Sequence, residues 1–457
     1  MIEALEASPL AARPEDHAFL AALVEEALAD TSARLAEAGG PLLGVILGGS
    51  LARGEGTVWR GEGGPRALSD IDLAAVVMDE AARVRALDVA PFVARGVARR
   101  LGARGLAGGF DLGVYTPETL ARQGPRPGTL EYRRSGRVLQ GAHDLASRFP
   151  ALVERDVPSE EALVLLENRG AELLLAWPGA IGADDVDGAL QSLYAGMKAQ
   201  LDGAFALVVA HGQCPATTQA RQAALESWTV EGRSDALRAV LPDFESNIQF
   251  WSAMKLTPDP VAIAFRLGVP DAGDLVALAR RAWREGARAW VAYYRAVAGR
   301  VLGGAPTRGT GLLPLAVLAS HAAHRAHLAR RLRRWWETGR TFDALERDGR
   351  AGWALRPRAE RPALALQGAP EHELASCVAV LLGAWSDPGG AADWRGVMQR
   401  RFPGACPERL EWEPCRRAVV RLWDTMHMGG TRTAWDVGEP APGAAPDPAA
   451  RPFTEQS

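Results

Sequence analysis

Cysteine is scarce in this 457-residue chain, and its spacing does not suit a metal site. The four cysteines are Cys214, Cys377, Cys406 and Cys415, and none of them forms a CxxC pair or has a histidine at zinc spacing. We expect all four to be free thiols in a reducing compartment. The cysteines therefore argue against both a disulfide framework and a zinc-binding module.

Long apolar runs and a basic bias are also missing. No stretch approaches 18 uninterrupted apolar residues, and the first 20 residues carry acids and lack the apolar segment of a signal peptide. The basic residues, almost all of them arginine, are balanced by acids, so the formal net charge is −3. These features predict a cytoplasmic protein without a membrane span, and they argue against a general nucleic-acid binder.

What the first 150 residues do contain is an alternation of short apolar runs with helical periodicity. The predicted strands lie at 42–48, 68–78, 108–116 and 137–141. The predicted helices lie at 15–38 and 90–104. This pattern indicates a small α/β head.

Beyond about residue 155 the apolar pattern is helical throughout. Helices are predicted over 159–210, in two segments that begin at Ser159 and Asp184, and at 216–240, 271–301, 312–338, 370–386 and 408–427. The tail from about residue 436 is rich in Pro, Ala and Gly and is predicted to be disordered. The expected organisation is an α+β head followed by a large all-α region, with a head at 1–150, helical domains at 151–300 and 301–435, and a tail at 436–457.

Two carboxylates stand in an otherwise apolar strand. Asp70 and Asp72 alternate with apolar residues in SDIDLAAVV, and residues two apart in a strand point to the same face. Two such charges about 4 Å apart repel each other by about 4 kcal/mol at an effective dielectric near 20, a cost that a bridging cation removes. Asp111 is a third lone acid in an apolar strand. The three acids predict a divalent-metal site of the kind that assists phosphoryl-type transfer, although each acid alone would suit a turn or a cap.

The strand that precedes these acids ends in Gly48, Gly49 and Ser50. Glycines let the backbone approach a ligand closely, and a short helix starting here would point its amides at an anion. The Ser50 hydroxyl can donate to a phosphate oxygen, and Arg53, about one turn on, is placed to meet the same phosphates. A solvated surface arginine would look the same in sequence. We interpret the turn as a triphosphate site.

These motifs resemble those of a known superfamily. The segments GGSLARGEG, SDIDLAAVV and FDLGVYT are similar to the strand, Gly-Gly-Ser, Asp-x-Asp and later single Asp of the nucleotidyltransferases that include polymerase β and the aminoglycoside nucleotidyltransferases. The resemblance covers about residues 40–116 and implies a small mixed sheet flanked by helices. It also implies that Asp70, Asp72 and Asp111 hold two Mg²⁺ ions, that Asp111 helps to activate the attacking hydroxyl, and that Gly49 and Ser50 bind the triphosphate.

The spacer between the two motifs departs from the family pattern. Nineteen residues, 51–69, separate Ser50 from Asp70, which is more than family members usually have. The excess predicts an inserted hairpin or flap near the nucleotide. It leaves open where Arg53 points, but it does not change the identity of the acids.

The helical region contributes weaker candidates. Lys198 and Asp202 are four residues apart, so that an ordinary helix salt bridge would explain both. Alternatively, Lys198 binds a phosphate of the nucleotide while Asp202 or Glu167 orients the acceptor. Arg169 interrupts an apolar helix face and is a further candidate on the acceptor side.

The predicted function is Mg²⁺-dependent transfer of a nucleoside monophosphate from a nucleoside triphosphate, with ATP as the expected donor, to a hydroxyl of an acceptor. A small-molecule acceptor, such as an aminoglycoside-like metabolite, is favoured by the near-neutral charge. Transfer to RNA or to a protein side chain is an alternative. So is a catalytically silent nucleotide-binding protein or toxin–antitoxin partner, although the presence of all three acids argues against lost catalysis.

Overall fold

The computed structural model describes most of the head and much of the helical region. The described ranges are residues 8–302, without 62, 183, 231–240 and 242, together with 370–386, 412–427 and a few isolated positions. Within them an α+β region is followed by helices, as the change of periodicity predicts. The predicted helix at 312–338 and the predicted tail at 436–457 lie almost entirely outside the described residues.

The described part of the head contains a four-stranded sheet, a two-stranded hairpin and helices. The strands are β1 (Leu42–Leu47), β2 (Val58–Gly61), β3 (Gly64–Ala67), β4 (Ile71–Val77), β5 (Phe110–Tyr115) and β6 (Arg137–Gly141). The helices are α1 (Pro14–Gly39), α2 (Gly49–Ala52), α3 (Glu80–Ala103), α4 (Pro117–Ala121) and α5 (Pro127–Ser135). The four strands predicted from the apolar runs are thus confirmed.

The strand order of the main sheet is β5-β4-β1-β6, and the sheet is mixed. β1 runs antiparallel to β4 and β6, whereas β4 and β5 are parallel and are connected by α3. One face, with Val45 and Leu73, packs against α1 and α3. The opposite face carries a smaller cluster that includes Ile46 and Ala74. Because of this topology, the end of β1 lies beside the starts of β4 and β5.

Helix α3 begins ten residues before the predicted helix at 90–104. Asp79 precedes it and accepts the backbone N–H of Ala82 at 2.8 Å, which satisfies a donor that the first turn leaves unpaired. Ala82, Ala86 and Val93 then face the core. The early start follows from this N-cap.

The helical region is built from long helices that the sequence largely predicts. They are α6 (Glu161–Leu175), α7 (Val186–Ala210), α8 (Thr218–Val230), α9 (Phe244–Leu256), α10 (Pro260–Leu267), α11 (Leu275–Leu302), α12 (Pro370–Ser386) and α13 (Trp412–His427). The two helical segments predicted over 159–210 correspond to α6 and α7, and a 3₁₀ turn at Pro178–Ala180 lies between them.

The centre of this region is α7, most of which is buried, packed along α11. A Cβ at Gly196 would collide with the backbone of Ala282, so glycine allows the two helices to approach closely. The helices α12 and α13 join the same hydrophobic core through residues such as Val378 and Trp423. The described helices on both sides of residue 300 therefore share one core.

Three of the four cysteines lie within the described residues. Cys214, Cys377 and Cys415 are buried and are not disulfide-bonded, while Cys406 lies outside the described residues. None of the helices in the described ranges combines the length and the apolar character that crossing a membrane requires.

The 51–69 segment forms a hairpin, β2–β3, which confirms the hairpin that the long spacer predicts. Trp59 is only 3% exposed and belongs to a cluster with Tyr194 and Trp251 of the helical region. Arg66 at the hairpin's edge also pairs with Asp187 at 3.1 Å. Burial of this indole ties the hairpin to the helices.

Candidate active site

Asp72 and Asp111 lie side by side on neighbouring strands. The parallel register of β4 and β5 makes these two residues direct partners. Ile71 and Leu73, on either side of Asp72, are buried in the core of the opposite face. Strand alternation therefore turns both carboxylates to the same face of the sheet.

Asp70 lies just before β4 and ties the two acidic strands together. Its Oδ1 accepts the N–H of Gly109, at the start of β5, at 2.6 Å. The N–H of Gly48 donates to the backbone carbonyl of Asp72 at 2.8 Å. The structure thus brings the three predicted acids and the Gly-Gly-Ser turn to one edge of the sheet.

Positions 48 and 49 of the turn require glycine because neighbouring side chains occupy the space of a Cβ. Gly49 has a φ of +65°, and a Cβ there would collide with Oδ2 of Asp72. A Cβ at Gly48 would collide with the ring of Tyr132. Ser50 follows in the first turn of α2 and is partly exposed. The backbone of the turn therefore lies directly against the acidic strand, as a site that holds a metal-bound triphosphate requires.

Tyr132, on α5, is the aromatic wall of this edge. Its ring stacks on Phe149 with centroids 5.1 Å apart. Burial raises the pKa of Tyr132 well above its usual value, and the carboxylates of Asp72 and Asp111 raise it further. The phenol is therefore protonated at neutral pH beside the two acids.

Arg53 is buried and ion-paired, so it is not a solvated surface residue. Its side chain is 6% exposed and contacts Glu55 at 3.0 Å and Glu131 at 2.7 Å. Burial favours the neutral form of the guanidinium, but these two carboxylates outweigh it and raise the pKa of Arg53. In this structure Arg53 braces the loop after Ser50.

Lys198, on α7, reaches from the helical region to the acids. Its Nζ lies 3.0 Å from Oδ2 of Asp70 and 3.7 Å from Oε2 of Glu172. Burial and Arg169 favour the neutral amine, but Asp70 and Glu172 outweigh them and raise the pKa of Lys198. The ammonium contacts Asp70 instead of Asp202, so the simple helix salt bridge is not formed.

Arg169 and Asp202 also face the head. Arg169 pairs with Asp202 at 2.6 Å and with Glu172. Burial raises the pKa of Asp202, but Arg169 and Lys198 outweigh it and hold that pKa below its usual value. The two residues therefore lie beside Lys198, where the sequence-based hypothesis needs them.

Further ion pairs continue this series back to Arg53. Arg221, on α8, lies 3.9 Å from Asp202, stacks on the ring of Phe205 and contacts Glu131. Glu131 in turn contacts Arg53. We call the whole set the ion-pair arc, and its members in order are Asp70, Lys198, Glu172, Arg169, Asp202, Arg221, Glu131, Arg53 and Glu55. The arc joins the acidic strand to the loop behind Ser50 by way of the helices.

Glu167 lies against the helical core. It is buried on α6 beside Tyr294, whose pKa is raised by burial and further by Glu167. Tyr294 itself stacks on Trp290 in the helical core. Glu167 is thus placed against the helical core, and its orientation of an acceptor stays a prediction.

Several residues at the site were missed by the sequence reasoning. They are Glu55, Glu131, Tyr132, Glu172 and Arg221. None of them belongs to a local motif, and partners such as Lys198 for Glu172 and Thr218 for Glu55 are distant in sequence. The one local signal is the Thr217-Thr218 pair before Arg221, which is typical of a helix start.

Carboxylate oxygens are the ligands that Mg²⁺ prefers, so the chemistry of the three acids suits the expected metal. In this structure, however, Asp70 is engaged by Lys198 and Gly109. Within the described ranges no group of three or more His, Cys, Asp or Glu side chains is arranged to hold a metal ion. The donor chemistry of the three carboxylates thus suits Mg²⁺, while Oδ2 of Asp70 contacts Lys198 in this structure.

Comparison with protein-family models, curated proteins and solved structures returns no match for this chain. A function for the site must therefore be inferred from its own residues.

Proposed function

We propose that this protein is a Mg²⁺-dependent nucleotidyltransferase. It moves a nucleoside monophosphate from a nucleoside triphosphate to a hydroxyl of a small-molecule acceptor and releases pyrophosphate. The proposal is carried by one observation: Asp72 faces Asp111 across parallel strands and lies directly over Gly49 in the Gly-Gly-Ser turn. This places candidate metal ligands against a candidate triphosphate-binding backbone.

The proposed roles follow from position. Asp70, Asp72 and Asp111 would hold Mg²⁺, which when bound neutralises phosphate charge and polarises the transferred group. Gly48, Gly49 and Ser50 would bind the triphosphate through the backbone and the hydroxyl. Asp111 would also accept the proton of the attacking hydroxyl.

The charged groups on the helices that face the acids favour a small acceptor. The basic groups Arg169, Lys198 and Arg221 are each paired with carboxylates of the arc. Basic side chains committed to such pairs are less available to the phosphates of a nucleic acid. A small acceptor, such as an aminoglycoside-like metabolite, does not need such basic groups.

The test is a thermal-shift titration with ATP, GTP, CTP and UTP, with and without Mg²⁺. A ligand that binds only the native state raises the melting temperature by mass action. We expect a Mg²⁺-dependent shift with at least one triphosphate in the wild type and none with Asp72→Asn. The triphosphate that gives the shift is then used, labelled at its α-phosphate, with a panel of hydroxyl-bearing acceptors while pyrophosphate release is followed.

Two results would count against the proposal. The first is an equal shift in the wild type and in Asp72→Asn, which would place nucleotide binding elsewhere. The second is the absence of pyrophosphate release with every triphosphate and acceptor, which would favour a silent nucleotide-binding role.

A further inference from the structure

The chain contains only two lysines among its 52 basic residues, Lys198 and Lys255. Both lie in the helical region and both reach across to the head. Lys198 contacts Asp70 at 3.0 Å, and Lys255 donates to the backbone carbonyl of Glu55 at 3.2 Å. Nearly all basic residues of the chain are arginines, and both lysines lie at the junction between the helical region and the head.

The two basic side chains differ in how they hold a carboxylate. Arginine grips it with a rigid two-pronged fork, whereas the lysine ammonium is a compact point charge on a flexible stem. At Asp70 a compact cation sits where the proposed reaction needs a divalent ion. The partners of this ammonium also include Glu172 and the ring face of Tyr194, 5.3 Å from Nζ.

We propose that Lys198 competes with the divalent cation for Asp70. In the metal-free protein its ammonium neutralises Asp70. When Mg²⁺ binds, the lysine leaves Asp70, and its charge becomes available to the incoming triphosphate. This inference rests on the proposed function for the triphosphate, but the competition itself needs neither nucleotide nor acceptor.

The expected size of the effect follows from occupancy. If the pair between Lys198 and Asp70 is formed nine-tenths of the time, the apparent Kd for the metal is about tenfold higher than that of the unobstructed site. Removing the ammonium should therefore tighten metal binding, although it removes a group that the proposed reaction uses.

The first experiment measures Mn²⁺ affinity in the full chain by electron paramagnetic resonance of the free ion, without nucleotide. We expect Lys198→Met to bind Mn²⁺ about tenfold more tightly than the wild type. Lys255→Met is the matched control, since it removes the other lysine from the same junction without touching Asp70. Its Mn²⁺ affinity should stay within about twofold of the wild type, a small change by the same occupancy argument.

A second measurement uses the wild type, so that the inference does not depend on how a variant folds. Protein labelled with ¹³C-lysine has two lysine side chains to observe, and each signal is assigned by its Met variant. Addition of Mg²⁺ should shift the side-chain signal of Lys198 and leave that of Lys255 in place.

Equal Mn²⁺ affinities for the wild type and Lys198→Met would overturn the competition. So would a Lys198 signal that does not move at Mg²⁺ concentrations that saturate the protein. If the competition is observed but no triphosphate is ever consumed, the proposed function fails while this inference stands, so the two failures are distinguishable.

Discussion

At the scale of single residues, Gly49 is the position where backbone geometry and site chemistry coincide. Its φ of +65° is unfavourable for residues with a Cβ, and the Cβ would also collide with Asp72. We expect Gly49→Ala to lower the free energy of unfolding by about 1–2 kcal/mol for the conformation alone. Displacement of the Asp72 carboxylate should in addition abolish Mg²⁺-dependent triphosphate binding, which thermal-shift titration will measure.

The chain offers a matched control for that substitution. Gly268 has a φ of +64°, and a Cβ there would meet nothing within 4 Å. Gly268→Ala therefore carries the same conformational cost without touching the site. Loss of triphosphate binding in both variants would mean that general destabilisation, and not the contact with Asp72, is responsible.

The adjacent acids should respond differently to removal of their charge. Asp70 is held by Lys198 and Gly109, so Asp70→Asn leaves a buried ammonium without its main partner. We expect Asp70→Asn to lower the free energy of unfolding by about 3 kcal/mol. Asp72→Asn removes repulsion with Asp111 and should leave stability in metal-free buffer unchanged or slightly higher.

Urea unfolding of both variants without Mg²⁺ checks this contrast. Both variants should lose transfer activity, because both residues are proposed metal ligands. Equal losses of stability would show that the contact between Lys198 and Asp70 contributes little to the folded state.

At the scale of elements, the sequence predicts the sheet strands well. The run at 42–48 is apolar and ends in Gly, and the run at 108–116 is followed by Pro117. The strands β1 and β5 lie within these two runs. The hairpin β2–β3 could be predicted from the sequence, but its contact with the helical region could not. That contact depends on helices more than 100 residues away. The helices α9 and α10 were missed because they lie between Pro- and Asp-rich turns that obscure their short apolar patterns.

Helix α8 is held to the head by a carboxylate from the loop after Ser50. Glu55 accepts the N–H of Thr218 at 2.6 Å and its hydroxyl at 3.1 Å, at the first residue of α8. Burial raises the pKa of Glu55, but Arg53, Lys255 and the bond from Thr218 outweigh it and lower the pKa from its usual 4.5. This carboxylate thus couples the candidate triphosphate loop to the helix that carries Arg221.

The pH dependence of stability tests this coupling. Because the folded-state pKa of Glu55 is depressed, its contribution is fully present above about pH 4.5 and is lost as the pH falls through the folded value. We expect Glu55→Gln to cost about 3 kcal/mol at pH 7, as breaking a buried ion pair does. The difference from the wild type should shrink below pH 4.5, as measured by urea unfolding from pH 7 to pH 3.

A surface carboxylate serves as the control. Glu80 pairs with Arg83 on an exposed part of α3, and Glu80→Gln should cost at most about 0.5 kcal/mol. A Glu55→Gln cost that does not vary between pH 7 and pH 3 would exclude the Glu55 charge as the source of the stability.

At the scale of the whole molecule, only part of the candidate site can be predicted from the sequence. The acids and the Gly-Gly-Ser turn are local motifs, and the sheet topology brings them together. The arc is different, because Glu131 and Arg221 meet through the docking of the helical region on the head. No spacing rule links residues 90 positions apart, so this wall of the site becomes visible only in three dimensions.

The last prediction concerns the docking of the helical region on the head. Glu131 and Arg221 are mostly buried, so that their interaction is little screened by solvent. A double-mutant cycle with Glu131→Gln and Arg221→Gln should give a coupling free energy of about 1–3 kcal/mol in urea unfolding. The cycle for Arg66 and Asp187, a more exposed pair across the same junction, should give less than about 1 kcal/mol. A coupling below about 1 kcal/mol for Glu131 and Arg221 would mean that this pair does not hold the helices to the head.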